Sequence, residues 1–469
     1  MYKYLLCWRY LRTRYIALAS VISVMLGVAT MIVVNSVMAG FSEKMRDRLH
    51  GVLADVIVES RDLDGFYNSE EVMARIQEVA GKKVAAMSPT METFGLMKFQ
   101  YRGNSITSQV RLIGVQPDQR AKTGDFAEFL FDDQGKLIPP SFQITDRVRK
   151  NSPEGSLLRD PEFAAGDDAM SRALRTELET QVPDHGAIIG YALGTHHMGG
   201  KEPDLYIAPS GTKIGLTFPT AGKKPLPGYD DFTVVGFFKS GMSEYDSMHV
   251  YVPLERLQQM RLLVDPQGRG AVNQIQIKVK PGVDLDVLAG EIQTALERMR
   301  PMYFIVKTWE QKQGAILAAV AVEQSILNLL LFFIIAVAGF GILAIFSMIV
   351  VEKTRDIGVL KALGASTSGV RGIFLGYGLL LGVVGSGVGM AGGLLFVRYI
   401  NQIEKGLSWA TGRKVFDDTI YYFNEIPTVV EPGMLVGVVG GALFIAAAAS
   451  VWPAQRAAKL HPVQALRFE

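Results

Sequence analysis

The sequence predicts a membrane α-helical protein with four transmembrane helices and a large α+β extracytoplasmic domain inserted between the first and second helices. The first observation is four long runs without a charged residue, at 15–41, 325–351, 372–397 and 432–453. At about 1.5 Å of rise per residue, each run is long enough to cross a hydrocarbon core of roughly 30 Å. The second observation is the interval 42–324, which is long enough to fold around a core of its own.

Composition narrows the classes of function. The chain has 469 residues, a net charge of +2 and 49% hydrophobic residues, so its charge gives no reason to expect a nucleic-acid partner. Cys7 is the one cysteine, which excludes an internal disulfide, and a small apolar residue explains it better than a lipidated one. His196 and His197 have no ligand-spaced partners, so we predict no metal site.

The sequence contains no set of residues that indicates catalysis. It has no G-x-x-x-x-G-K-[ST] phosphate loop, so the chain is not expected to bind ATP phosphates by itself. We therefore predict no catalytic residue, no cofactor bound by this chain and no enzymatic activity of its own.

The first apolar run is predicted to be an uncleaved span. A cleaved signal peptide is the alternative, but the run is longer than the apolar core of an ordinary signal peptide, and no clear small-x-small cleavage site follows it. Residues 1–14 are predicted to form an amphipathic helix on the inner membrane surface. That segment has no acidic residue and four basic ones: Lys3, Arg9, Arg12 and Arg14.

Basic residues also predict the orientation in the membrane. They occur before the first span, in the turn 352–371 and in the tail 454–469. By the positive-inside rule these three segments are cytoplasmic, with both termini. The domain 42–324 and the loop 398–431 are then expected outside, as in a multi-pass protein of the bacterial inner membrane.

Two segments of the inserted domain have unusual composition. Residues 117–183 have many charges, two consecutive prolines and little periodicity, and they are predicted to form an insertion outside the domain core, with one helix near 169–180. Residues 217–229 contain three prolines and two glycines between two predicted strands. This pattern predicts a stiff, protruding hairpin, with an ordinary exposed loop as the alternative.

The third span carries pairs of glycines four residues apart. The pairs Gly378/Gly382 and Gly385/Gly389 predict a close contact between helices, because small residues let helix backbones approach in lipid. General enrichment of glycine in membrane helices is the alternative explanation.

The turn between the second and third spans, 352–371, is predicted to contain a short helix at the membrane surface. Apolar residues recur there every three positions, and Gly364 supplies a helix stop. A plain amphipathic connector is one interpretation. The other is a coupling helix that binds a cytoplasmic motor subunit, with this contact set: Glu352, Arg355, Asp356, Ile357, Gly358, Leu360, Lys361, Leu363 and Gly364.

This turn resembles the coupling-helix region of ABC permeases with the MacB/FtsX-type fold. The resemblance to one family, the lipoprotein-releasing LolC/LolE permeases, extends to segments 35–51, 232–254 and 452–469 and to Trp309 with Glu310. It weakens around 117–183, where this chain is longer.

The resemblance implies the permease subunit of an ABC transporter that extracts lipoproteins from the inner membrane. It implies a cytoplasmic ATPase dimer that holds ATP-Mg, a second permease subunit, identical or paralogous, and a periplasmic carrier for the lipoprotein cargo. The hairpin is similar in place to a carrier-binding hairpin, with these candidate residues: Phe218, Pro219, Pro225, Leu226 and Pro227. Two other classes stay open: a MacB-like mechanotransmission or efflux permease, and an FtsX-like regulator of an extracellular hydrolase.

Overall fold

The computed structural model describes residues 15–151, 185–196, 204–301, 303–411 and 425–461. The chain divides into two compact units. The membrane unit comprises Met1–Lys44, Ile316–Phe416 and Glu425–Glu469, and the α/β domain contains Met45–Ala315.

Helices are numbered in chain order through the described residues. They are α1 (Tyr15–Val52), α2 (Ser69–Ala80), α3 (Pro117–Arg120), α4 (Asp146–Asn151), α5 (Tyr191–Gly194), α6 (Ser243–Asp246), α7 (Leu254–Met260), α8 (Leu285–Met299), α9 (Trp309–Lys312), α10 (Gly314–Glu352), α11 (Thr354–Ala362), α12 (Thr367–Thr411) and α13 (Pro432–Ala458).

The strands are numbered in the same way. They are β1 (Val56–Ser60), β2 (Val84–Tyr101), β3 (Asn104–Val115), β4 (Leu130–Phe131), β5 (Gly186–Gly190), β6 (Thr195–His196), β7 (Leu205–Tyr206), β8 (Lys213–Pro219), β9 (Pro227–Phe238), β10 (His249–Pro253), β11 (Gln274–Val279) and β12 (Phe304–Thr308). Two short 3-10 turns cover Gly81–Lys83 and Phe126–Phe129.

Within the described residues, four helices are long and apolar enough to cross a membrane: α1, α10, α12 and α13. All four extend past the predicted bounds, because the prediction stopped at the first charge while a helix needs only continuous backbone hydrogen bonds. Helix α1 continues beyond 41 to Val52, and α10 begins at Gly314 instead of 325. The helix predicted at 1–14 lies outside the described residues.

The predicted loop 398–431 and tail 454–469 are corrected in the same way. Helix α12 continues through Thr411, so the first part of the predicted loop is helical. Helix α13 continues to Ala458, into the predicted tail. At the other end, α12 already begins at Thr367, so Thr367–Arg371 of the predicted turn are helical and continuous with the third span.

One lobe of the α/β domain follows the β-α-β-β-α-β pattern. Strands β1 and β2 flank α2, strands β11 and β12 flank α8, and the sheet order is β12-β1-β11-β2. Both helices have buried residues at a spacing of three to four, such as Leu288, Ile292 and Leu296 in α8. The side chain of Asp284 accepts hydrogen bonds from the backbone N–H groups of Asp286 and Val287 and so caps α8.

A second lobe is inserted between β2 and β11. Strand β2 is 18 residues long and leaves the first lobe to pair with β3 and with β8. Because β8 also pairs with β9, the strands close on themselves in the order β2-β3-β10-β5-β9-β8. Inward-facing residues such as Phe99, Leu216 and Phe232 are buried in the domain core.

The described part of segment 117–183 belongs to the core, so the predicted insertion is wrong for residues 117–151. Phe126 and Leu130 are buried, and β4 pairs with β9 through Leu130 and Phe238. The many charges misled the prediction, because most of them lie at the surface while buried ones have partners: Asp132 is buried and forms an ion pair with Arg147. The helix predicted near 169–180 lies outside the described residues.

Candidate coupling helix and partner-binding hairpin

Helix α11 lies between the second and third spans and has one buried face. Thr354, Ile357 and Gly358 are buried, and Ile357 is 2% exposed within the core of the membrane unit. Three- and four-residue spacing puts these side chains on the same side of a helix. Ile357 and Gly358, which the sequence placed in the contact set, therefore anchor the helix and are not available to a partner.

The opposite face of α11 is open. Arg355, Asp356, Val359 and Leu363 are exposed, and Leu363 is 81% exposed. Glu352 and Gly364 are exposed as well, while Leu360 is half-buried. Gly364 has a φ of 92°, the left-handed geometry that ends a helix at low cost. The exposed members of the predicted set are thus Glu352, Arg355, Asp356, Leu363 and Gly364. Val359, which the prediction did not include, adds a second exposed apolar side chain one turn before Leu363.

Lys361 points away from that face. Its ammonium group donates to the carbonyl oxygens of Ala458 at 2.6 Å and Leu460 at 2.8 Å. These carbonyls lie at the C-terminal end of α13, where the last backbone oxygens of a helix lack partners within the helix. The sequence assigned Lys361 to partner contact, whereas the structure places it within the membrane unit.

The predicted hairpin consists of β8 and β9. Pro219 pairs with Pro227 at the end of the ladder. The tip, residues 220–226, is closed by Thr220, whose hydroxyl and N–H both donate to the carbonyl oxygen of Leu226. Proline at the ladder end fits a place where no further strand hydrogen bonds form.

The hairpin residues differ in accessibility. Leu226 is 67% exposed, and Pro219, Pro225 and Pro227 are exposed too. Phe218 is 3% exposed and packs against Gly228, so it belongs to the core and is not a contact residue.

The hairpin tip is attached to the domain and does not protrude freely, which corrects the prediction. The N–H of Ala221 donates to the carbonyl oxygen of Arg261, and the N–H of Gly222 donates to a carboxylate oxygen of Asp64 at 2.9 Å. The guanidinium of Arg261 in turn donates to the carbonyl oxygen of Pro219 and forms an ion pair with Asp64. Sequence reasoning missed Asp64 and Arg261, because nothing local marks either residue as part of the hairpin.

The four predicted packing glycines of α12 face two different helices. A Cβ at Gly382 would lie 2.8 Å from the Cβ of Ala446 in α13, and Gly378 faces Ser450 of the same helix. A Cβ at Gly385 would lie 2.8 Å from the Cβ of Val24 in α1, and one at Gly389 would lie 2.6 Å from the backbone oxygen of Met25.

The segment 232–254 contains a buried polar turn. Asp246 accepts hydrogen bonds from the N–H and the hydroxyl of Ser240, both at 2.8 Å, and from the N–H of Gly241. Burial raises the pKa of Asp246 to about 6, against the effect of these hydrogen bonds. Burial lowers the pKa of His249 to about 3, and the charges of Arg111 and Arg120 act in the same direction. This turn is therefore a structural element with two titratable groups.

Two family models match this chain. The family described as FtsX-like permease C-terminal matches residues 328–462, which contain α11. The family described as MacB-like periplasmic core domain matches residues 145–295, which contain the hairpin.

Relatives with known names extend the match. The lipoprotein-releasing system transmembrane protein LolC of Xylella fastidiosa is 24% identical over 469 residues, covering 98% of this chain and 97% of that protein. LolE of Haemophilus influenzae is 28% identical over 166 residues, covering 35% of this chain and 40% of that protein. The macrolide export ATP-binding/permease protein MacB of Bdellovibrio bacteriovorus is 28% identical over 213 residues, covering 43% of this chain and 29% of that protein.

The LolC match extends over nearly the whole of both chains, and the two family models fall on the membrane unit and the α/β domain. The chain is similar to the LolC/LolE-type permeases along almost its whole length. The predicted resemblance and fold class are therefore confirmed: the chain is a multi-pass membrane protein with the MacB/FtsX-like permease fold. The candidate coupling helix α11 lies in the FtsX-like part of the chain, and the hairpin of β8 and β9 lies in the MacB-like part.

Proposed function

We propose that this chain is the membrane permease subunit of an ABC transporter that extracts lipoproteins from the inner membrane and passes them to a periplasmic carrier. ATP-Mg is bound and hydrolysed by a separate cytoplasmic ATPase dimer, and this chain holds no cofactor. The observation that carries the proposal is the similarity to a lipoprotein-releasing LolC along almost the whole chain. A second permease subunit, identical or paralogous, completes the transporter.

The exposed face of α11 is the contact for the ATPase. Val359 and Leu363 form an exposed apolar ridge, with Arg355 and Asp356 beside it. An apolar ridge on a short helix is suited to a hydrophobic groove on a partner. This assignment puts α11 and both termini on the cytoplasmic side, in agreement with the basic residues around them.

The energetics explain why ATP is required. Removing an acyl chain from the membrane costs about 0.8 kcal/mol for each buried CH₂ group. Helix α10 exposes many large apolar side chains that suit contact with lipid or with acyl chains, among them Phe332, Phe333, Val337 and Phe340. In this proposal, ATP-driven movement of the two permease subunits closes a cavity lined by such residues and expels the lipoprotein.

The hairpin is the candidate site for the carrier. Its exposed apolar residues are Pro219, Pro225, Leu226 and Pro227. Because Asp64 and Arg261 hold the tip in place, this surface is ordered before a partner arrives, which lowers the entropic cost of binding. A variant that lacks residues 219–228 is expected to lose carrier binding, and normal binding by that variant would exclude this role.

The test is release from proteoliposomes. The permease and its co-purified ATPase are reconstituted with a fluorescent triacylated lipoprotein, and the soluble carrier is added with ATP. We expect the lipoprotein to move to the carrier only when both ATP and carrier are present. ATP hydrolysis without any transfer of lipoprotein would contradict the proposal.

A MacB-like efflux or mechanotransmission permease is the second candidate. The match of residues 145–295 to the MacB-like periplasmic core domain favours it. Mass spectrometry of the proteins that co-purify in mild detergent separates the two candidates. An ATPase with acylated lipoproteins supports lipoprotein release, whereas an ATPase with a periplasmic adaptor and no lipoprotein supports the second candidate.

A further inference from the structure

The coupling helix is connected to the four spans in two different ways. The chain joins α11 directly to α10, which ends at Glu352, and to α12, which begins at Thr367. Helix α13 follows α12 only after 412–431, at the other end of the span. A displacement of α11 therefore reaches the second and third spans through the backbone, but it reaches the fourth span only through non-covalent contacts.

Lys361 supplies the polar part of those contacts. Its ammonium group donates to the carbonyl oxygens of Ala458 and Leu460, at 2.6 Å and 2.8 Å. Hydrogen bonds from a charged donor are stronger than neutral ones, and the C-terminal end of a helix attracts a positive charge. The ammonium thus binds the end of α13 at two points and fixes its position relative to α11.

Apolar packing surrounds this contact but does not replace it. Ile357 of α11 and Ala454 and Ala457 of α13 are buried in one cluster. Farther from its C-terminal end, α13 contacts α12 through small residues, and Ala446 lies beside Gly382. These contacts are apolar and carry no directed donor or acceptor, whereas the two hydrogen bonds of Lys361 point at particular oxygens of the α13 end.

We infer that Lys361 is a positioning residue that makes the fourth span follow the coupling helix when the ATPase moves it. This inference rests on the proposed function for the source of the movement. It assigns Lys361 a role inside the permease, whereas Arg355, Asp356, Val359 and Leu363 face the ATPase. Without Lys361, movement of α11 reaches the second and third spans but no longer positions the end of the fourth.

Four variants separate this role from a general effect of charge. Lys361→Met keeps the length of the side chain and removes the ammonium, and Lys361→Gln is a second neutral variant. Lys361→Arg keeps a charged donor that can reach two oxygens. Lys459→Met is the matched control, because Lys459 is an exposed lysine at the same end of α13.

The direct measurement is the distance between spin labels on α11 and α13. Ala362 and Gln455 are exposed and accept labels, in a Cys7→Ser background that has no other cysteine. The permease is studied in complex with its ATPase, with and without trapped ATP. The wild type, Lys361→Arg and Lys459→Met are expected to give one narrow distance in both states. Lys361→Met is expected to give a broadened or shifted distance once ATP is bound.

Transport by the same complexes gives a second readout. Lys361→Met and Lys361→Gln are expected to hydrolyse ATP but to release about tenfold less lipoprotein per ATP, since losing hydrogen bonds from a charged group changes an equilibrium by that factor or more. Lys361→Arg is expected to keep most of the release, and Lys459→Met all of it.

Three results would overturn the inference. One is a wild-type distance that itself changes with ATP, and another is a Lys361→Met distance that stays narrow and unchanged. The third is failure of both neutral variants to assemble with the ATPase, which would make Lys361 a folding residue. If the distances behave as expected but the wild type releases no lipoprotein, the proposed function fails and the role of Lys361 is supported.

Discussion

The guanidinium of Arg261 lies 3.1 Å from a carboxylate oxygen of Asp64, and this ion pair holds the hairpin tip against the α/β domain. The side chain of Arg261 is 4% exposed, so its charge depends on that carboxylate for compensation. Asp64 uses its other oxygen to accept a hydrogen bond from the N–H of Gly222 in the tip. The carboxylate of Asp64 therefore binds both the hairpin tip and Arg261, which itself contacts the tip through the carbonyl oxygen of Pro219.

Asp64→Asn is expected to loosen the hairpin tip. An amide keeps the shape but removes the charge, and weakening hydrogen bonds to a charged group costs about 1.5–3 kcal/mol. Opening of the tip then becomes at least about tenfold more frequent. Tryptic cleavage after Lys223, an exposed residue of the tip, reports this opening when cleavage is slow relative to closing.

The control for that experiment is Asp118→Asn, which neutralises an exposed aspartate elsewhere in the same domain. Its cleavage after Lys223 is expected to match the wild type. Equal cleavage rates for Asp64→Asn and the wild type would show that the tip is held by its own turn and not by Asp64.

The sequence predicts local features of this permease better than its long-range contacts. The short helix α11 was predictable because its apolar spacing and its stop at Gly364 lie within one short segment. Lys361 was assigned to the wrong partner, because its acceptor in α13 is 97 residues away along the chain. Arg261 and Asp64 are separated by 197 residues, and no local pattern indicates their contact.

Burial on a short helix was also only partly predictable. The spacing of Ile357, Leu360 and Leu363 indicates an amphipathic helix but not which apolar residues face the spans. The structure buries Ile357 and exposes Leu363, a difference that depends on contacts with the distant spans and not on the local spacing. The same limit applied to Phe126, whose charged neighbours concealed a core position.

Leu363→Ala is expected to weaken binding of the ATPase without unfolding the permease. The side chain is almost fully exposed, so its loss creates no cavity, while removal of an apolar anchor typically costs about 2 kcal/mol of binding energy. The dissociation constant is then expected to rise about 30-fold. Titration of the detergent-solubilised permease with labelled ATPase measures it.

Two further variants test whether that effect is specific to the exposed face. Leu262→Ala removes a leucine that is 72% exposed in the α/β domain, and it is expected to leave the affinity unchanged. Ile357→Ala is expected to lower the stability of the membrane unit by about 2–5 kcal/mol, because it leaves a cavity in the core. An equal loss of affinity in Leu262→Ala would exclude Leu363 as a specific anchor.

Gly389→Ala is expected to destabilise the membrane unit. A Cβ at this position would lie 2.6 Å from the backbone oxygen of Met25 and 3.0 Å from the Cβ of Val28, so α1 must move away from α12. Such overpacking costs about 1–3 kcal/mol. Thermal unfolding in detergent is expected to show a lower midpoint temperature for this variant.

Gly392→Ala is the matched control in the same helix. Among the described residues, a Cβ there meets no atom within 4 Å, so the substitution is expected to be neutral or slightly stabilising through better helix propensity. If both variants unfold at the same temperature, close contact between α1 and α12 does not limit the stability of the unit.

His249 is expected to make the α/β domain sensitive to acid. Its ring is buried, and burial lowers its pKa to about 3 in the folded state, whereas an unfolded histidine titrates near 6.5. Between these values the unfolded chain binds the additional proton, so the stabilising contribution is complete above pH 6.5 and is lost as the pH falls. Between pH 7 and pH 5 the loss amounts to about 2 kcal/mol.

Asp246 acts in the opposite direction, because its pKa is raised to about 6. Its contribution is complete below the unfolded pKa near 4 and is lost as the pH rises through 6, so it offsets part of the acid sensitivity of His249. His249→Phe removes the group that destabilises the folded domain on acidification and leaves Asp246 in place. The unfolding temperature of the variant is therefore expected to fall less between pH 7 and pH 5 than that of the wild type.

Tryptophan fluorescence of the detergent-solubilised chain during heating measures both unfolding temperatures at each pH. His461→Phe, a substitution of an exposed histidine, is the control and is expected to lose as much stability on acidification as the wild type. The absolute stability of His249→Phe does not decide the question, because a phenylalanine also changes the packing against Tyr245 and Tyr251. Equal losses on acidification in the wild type and His249→Phe would show that the buried ring does not control the acid sensitivity.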